Sequence, residues 1–253
     1  MTPRARRLLA PALGLATVLA LLAALQGLIL ADVVSAYVVP LPTDVAASLG
    51  RIVTDENGVG RFLLTAGEAM AAGALVMLVG VPVGLALHRA PRLRAAFEPW
   101  VAAFAAAPLV LAYPLFLVLF GRSSLTVIVI GFASGVAPVV LKTVQGFGAT
   151  RRVLVDVGRS FRLGPAREFR LILVPAALPD IFVGLRLGFV FCLINVVGVE
   201  FLINLGGLGQ LINDLAERYD LPGMYAGILF VVLVSVLSFV ALDRGERWLT
   251  RRR

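Results

Sequence analysis

Three ionisable side chains, Glu68, Arg186 and Glu200, stand inside or at the ends of long apolar runs, and Asn195 lies in the middle of one. Such groups are costly in an apolar medium and mark a cavity, a charge pair or a conduction path. Glu200 lies beside the turn Gly206-Gly207-Leu208-Gly209. A gate or pathway role is one reading, extended to Asn195 and Glu68; a structural pair with a neighbouring helix is the other. Arg186 reads as structural, able to snorkel or to cap helix packing. The residues of hydrolytic and redox chemistry are missing. One histidine, His88, sits in a basic turn and reads as a solvated loop residue; one cysteine, Cys192, sits in an apolar run and reads as a buried core thiol. They make no Cys/His metal set and no intrachain disulfide. Neither HExxH nor GxSxG occurs. Leu141 precedes Lys142-Thr143 where a phosphate-binding loop demands glycine, so this chain lacks that means of holding ATP.

The elements that position these groups follow from composition. Hydrophobic residues make up 60% and charged residues 15% of 253, and mean hydropathy is +0.96. Soluble domains average about 45–50% apolar and about 25% charged, so the chain reads as a polytopic all-α membrane protein. Each crossing needs about 20 mostly apolar residues. Six are expected, near Leu8–Ala31, Phe62–Leu87, Trp100–Phe120, Leu125–Leu141, Ile181–Ile203 and Tyr225–Leu242. The first is too long for a cleaved signal sequence and reads as a retained helix. Pro108, Pro114 and Pro138 fall within spans, where neighbouring helices can satisfy the freed carbonyls.

The net charge of +8 could suit nucleic acid, but its distribution argues against that. Arg4, Arg6 and Arg7 precede the first span; Arg89, Arg92 and Arg94 follow the second; Lys142 and six arginines from Arg151 to Arg170 follow the fourth; Arg244, Arg247 and Arg251 to Arg253 follow the sixth. The alternate loops are acidic, with Asp32, Asp44, Asp55, Glu56, Asp214, Glu217 and Asp220. Positive charge stays on the cytoplasmic side, so both termini and the 142–180 loop are expected there, with Trp100 and Trp248 at that interface. Within the loop, Val153, Leu154, Val157 and Phe161 form an apolar stripe flanked by Arg151, Arg152, Asp156, Arg159 and Ser160. This is an amphipathic helix, suited to a protein groove or to anionic lipid. Gly164-Pro165 breaks it, a second short helix follows, and Pro175 and Pro179 are expected to stop that helix before the fifth span.

These residues resemble the permeases of ABC importers. The family's loop reads Glu-Ala-Ala, three residues, Gly, nine residues, Ile-x-Leu-Pro. Here Asp156-Val157-Gly158 occupies the first position and Ile172-Leu173-Val174-Pro175 the last, at matching spacing. Arg162 stands where the family has glycine, and Gly164, two residues on, is expected to take over the turn. Pro40–Val45 and the Pro108, Pro114, Phe120-Gly121 series resemble the family's pattern, and Gly184–Gly188 and Val197–Ile212 resemble the taurine, sulfonate and nitrate permeases. Glu68 departs from the pattern, since related chains often carry arginine there, after Thr65.

The resemblance implies one permease domain over 1–253, with a core at 62–242 and a coupling loop at about 142–180. It implies the type I importer permease fold, in a bacterial inner membrane. It places Asp156, Val157, Gly158, Arg159, Ser160, Phe161 and Gly164 at the contact with a cytoplasmic ATPase dimer. ATP and magnesium would be bound by that partner, and no cofactor by this chain. A second permease copy, most simply identical, and a periplasmic or lipid-anchored binding protein complete the assembly. The substrate implied is a small anion such as nitrate, a sulfonate, taurine or a related organic acid; thiamine-precursor pyrimidines are also carried by related permeases. The competing reading is a stand-alone secondary transporter or channel. Such proteins often carry internal inverted repeats, and none is evident between 1–120 and 125–242. A membrane-embedded enzyme lacks its constellation.

Overall fold

The structure is a computed structural model describing residues 3–251, with side chains described for 12–240 and for Arg244. Arg252, Arg253 and the side chains of Arg4, Arg6, Arg7, Arg247, Trp248 and Arg251 lie outside what is described. With no water in a bilayer core, backbone groups must bond within their own segment, which favours helices. The chain accordingly folds as α1 (Pro3–Leu30), α2 (Pro42–Thr54), α3 (Gly58–Arg89), α4 (Pro91–Ala106), a 3-10 turn (Leu109–Ala112), α5 (Tyr113–Phe120) and α6 (Ser124–Gly148). Then come α7 (Arg152–Ser160), α8 (Pro165–Glu168), a π turn (Phe169–Leu173), α9 (Val174–Ile203), α10 (Gly207–Glu217) and α11 (Leu221–Arg251). No strand occurs among the described residues. Five helices are long and apolar enough to cross a bilayer, and α4 with α5 makes a sixth when taken as one broken span.

Two expectations about proline are corrected. The third span is not one helix: its halves meet at 86°. Pro108 holds Ala107 extended (φ −73, ψ 133), which ends α4, and Pro114 restarts the chain in the first turn of α5. Pro175 and Pro179 do not stop the loop's second helix, which runs from Pro165 to Ile203. A proline ring collides with the carbonyl four residues back. The π turn before Pro175, closed by Val174 N–H donating to Phe169 O, widens the coil where that collision would fall. The helices α2 and α10 were not anticipated. Both are short and amphipathic, burying Ser48 and Ile52 in one, and Leu208, Leu211 and Leu215 in the other.

The chain forms two compact units, one of Gly60–Gln210 with Val232–Arg253, the other of residues up to Val59 with Leu211–Val231. In the larger unit α6 and α9 pack along glycine. A Cβ on Gly135 would lie 2.5 Å from Cys192 Sγ and 2.6 Å from Gly188 O; one on Gly188 would lie 2.8 Å from Gly135 O. Helices in lipid gain little from burying apolar surface, so close packing of this kind must hold them. Cys192 is buried as expected and donates its thiol hydrogen to Gly131 O at 3.1 Å. Val127 and Ile130 of α6 meet Val196 and Val199 of α9, with Ala69 of α3 in the same core.

In the smaller unit, Arg51 pairs with Asp220 at 2.7 Å. Arg218 bonds Glu56 through two nitrogens, each at 2.9 Å, and that carboxylate holds the guanidinium above its usual range. Asp220 also caps α11 by accepting from Gly223 N–H at 3.0 Å.

Gly135→Leu is expected to overpack the α6–α9 contact by about 1–3 kcal/mol or more and to lower the melting temperature in detergent. Gly67→Leu is the control, since a Cβ there meets nothing within 4 Å; equal melting of the two variants would refute the close-contact account.

Candidate functional site

The loop between α6 and α9 is built as a rigid hairpin. Asp156, Val157, Gly158, Arg159 and Ser160 all lie on α7, and Phe161 is its C-cap. One face of α7 seats on the chain: Gly158 is buried, and a Cβ there would collide with Ile172 Cδ1. The stripe beside it is open, with Val153, Leu154 and Val157 exposed and Phe161 77% exposed. The Ser160 hydroxyl donates to Asp156 O at 2.9 Å, within the helix.

The turn after α7 corrects the expectation for Gly164. Arg162 itself adopts the left-handed conformation, φ +53, while Gly164 is extended and caps α8. Arg162 N–H donates to Arg159 O at 2.8 Å and Leu163 N–H to Gly158 O at 3.1 Å. This pair of bonds defines a Schellman motif, whose left-handed position glycine usually fills. The bonds hold an arginine there at the expense of local strain.

Aromatic stacking ties the loop to the helix ends. Phe169 stacks on Phe147 with centroids 5.9 Å apart, and the Arg89 guanidinium sits 4.7 Å over the Phe169 ring. His88 is not a solvated loop residue: it lies in the last turn of α3, its ring lies 5.5 Å from Phe147, and its Nδ1 is buried. These groups, with Arg159 and Glu168, wall a cavity of about 570 Å³.

At the other end of α9 the polar residues converge. Glu200 is fully buried. The Thr65 hydroxyl donates to its carboxylate, 2.8 and 3.0 Å from the two oxygens, and Gly209 N–H donates at 2.9 Å. Leu208 N–H in turn donates to Thr65 Oγ1 at 2.8 Å. The chain can fold back over the carboxylate because Asn204, Gly206 and Gly207 all take positive φ, and a Cβ on Gly207 would strike Glu200. Glu200 thus pins the α9–α10 turn to α3. Glu68, one turn beyond Thr65, is 3% exposed and faces Glu200 and Ser124. Asn195 is not part of this cluster; its amide donates to Phe191 O on its own helix at 2.9 Å. Sequence reasoning missed Thr65 as a partner because 135 residues separate it from Glu200.

Between α3, α9 and α11 lies a second cavity, of about 630 Å³, lined mostly by apolar side chains, with Thr65 and Arg186 among its few polar ones. Arg186 stacks its guanidinium over Phe239 at 5.5 Å. Among the described residues no group of three metal-ligating side chains occurs.

A bundle of membrane-crossing helices, small-residue contacts and a helical loop with an outward apolar stripe define a polytopic membrane protein. The chain belongs to the family of binding-protein-dependent transport system inner membrane components, whose family model matches residues 76–253. A probable ABC transporter permease of Brucella melitensis is 26% identical over 216 residues, covering 85% of this chain and 88% of that one. The taurine transport system permease of Escherichia coli is 27% identical over 176 residues, 70% of this chain and 62% of the relative. An inward-facing methionine ABC transporter structure superposes with a TM-score of 0.64 at 20% identity, over 74% of this chain and 94% of that one, which shows the shared fold. The chain is the permease subunit of an ABC importer.

Thr65→Val is expected to leave Glu200 and Leu208 N–H short of a partner, costing about 1–3 kcal/mol. Asn195→Ala, which removes only an own-helix bond, should change the melting temperature little. Arg162→Gly is expected to raise stability by up to about 1 kcal/mol; a lower melting temperature would contradict the strained-turn reading.

Proposed function

We propose that α7 is the coupling helix of this permease and that a cytoplasmic ATP-binding-cassette ATPase dimer docks on it. The observation that carries this reading is the exposed stripe Val153, Leu154, Val157 and Phe161 on a helix seated through Gly158 against Ile172. An apolar stripe with basic flanks fits a protein groove, in the manner of an amphipathic helix recognised by its anchors. Asp156, Val157, Gly158, Arg159, Ser160 and Phe161 form the contact. Gly164 sets the start of α8 rather than the turn of α7. ATP and magnesium belong to the partner, and this chain, without a phosphate-binding loop, supplies the path through the membrane.

The arginine asymmetry supports a bacterial inner-membrane location with both termini and the α7 loop in the cytoplasm. Residues 1–253 act as one permease domain, with its core at 62–242 and its coupling loop at about 142–180. A second permease copy and a periplasmic or lipid-anchored binding protein complete the importer. The likeness to the taurine permease supports a small anion as solute. Glu200 and Glu68 act where α3 meets the α9–α10 turn, and Asn195 stands apart from them on α9.

Phe161→Glu places a charge at the centre of the stripe. ATPase retention during purification is expected to fall at least about tenfold, in line with loss of an interface anchor, while melting of the permease itself stays unchanged. Full retention of the ATPase by this variant would refute α7 as the docking element.

A further inference from the structure

Two carboxyl groups face each other inside the larger unit. Glu200 is fully buried, and Glu68 is 3% exposed. Neither forms an ion pair among the described residues, and both Glu68 oxygens are buried without a hydrogen-bond partner. The groups that face the pair come from every side of the junction. They are the Thr65 hydroxyl on α3, the Ser124 hydroxyl at the start of α6, and Gly209 N–H on α10. None is a cation. The adjoining core is apolar, with Ala69, Val127, Val199 and Ile203.

Ionised carboxylates only accept hydrogen bonds, so Glu68 and Glu200 cannot bond each other while both are charged. Two like charges at close range in apolar surroundings repel strongly, because neither water nor a counterion screens them. Thr65 and Gly209 already donate to Glu200, so the group left wanting a hydrogen is Glu68. One proton placed on Glu68 meets both demands: it removes one charge and supplies the donor that the Glu200 carboxylate can accept.

We propose that Glu68 and Glu200 form a proton-binding site, holding one proton between them and closing the junction of α3, α9 and the 204–209 turn. Release of that proton leaves two negative charges in the core and pushes α3 and α9 apart at this end. The junction therefore responds to the pH of the side it faces.

The sign follows from linkage. Closing the pair takes up one proton, so its contribution to stability falls as pH rises. The test compares wild type with Glu68→Gln, whose amide supplies the same hydrogen without titrating. The two are expected to melt together near pH of about 5, with wild type lower by at least about 4 °C near pH of about 8. A gap that does not change with pH overturns the proposal. So does recovery of wild type at the higher pH on adding sodium or potassium chloride, with N-methylglucamine chloride as control, since a metal cation would then occupy the site. Glu68→Arg provides a second variant that can pair with Glu200; it is expected to melt without the pair's pH dependence. The infrared carbonyl band of a protonated carboxyl should be present in wild type and reduced in both variants; an unreduced band places the proton elsewhere and refutes the assignment.

Discussion

Everything in the larger unit hangs on the close approach of α6 and α9. In lipid, helix association rests on packing and on a few polar bonds. Here the backbones come close enough that Gly135 and Gly188 have no room for a methyl group. Around that seam α3 packs through Ala69, Ala72 and Val76, and Val101 of α4 meets the core formed by Leu87, Val140 and Val144. The loop hangs from one end of the seam and the Glu200 junction closes the other.

This arrangement gives the loop mechanical access to the bundle. It joins the end of α6 to the start of α9, and Phe147, Ala177 and Ile181 pack together where the two helices meet it. The π turn matters here. A true break at Pro175 would let α8 swing freely, whereas a helix continuous from Pro165 to Ile203 passes a displacement of the loop along its length to Glu200. The stack of Arg89, Phe169 and Phe147 adds a second link, through α3 and α6. A partner pushing on α7 would thus act on the three helices that line or flank the larger cavity, as rigid-body switching requires.

Much of this was legible in the sequence, and the failures have identifiable causes. Apolar runs and arginine placement gave the spans because the bilayer imposes both. The loop helix was legible because its apolar stripe and basic flanks are local in sequence. Proline was misread in opposite directions. Pro108 ends α4 where an unbroken span was expected, and Pro175 and Pro179 leave the helix continuous where a stop was expected; residue type alone does not distinguish them. The helices α2 and α10 escaped notice because they are short, and glycine at 206 and 207 reads as loop. Arg162 was misjudged because backbone bonds to Gly158 and Arg159 override its preference. The pairing of Thr65 with Glu200 and the facing of Glu68 are tertiary, and no local pattern announces them.

The most direct measurement is purification of the tagged wild-type chain from its native membrane in mild detergent, followed by identification of its companions and transport in liposomes. The account requires a stoichiometric ATPase with a phosphate-binding loop, and solute uptake that depends on ATP. A chain that purifies alone and moves solute in ATP-free liposomes would contradict it and establish a channel or secondary transporter instead.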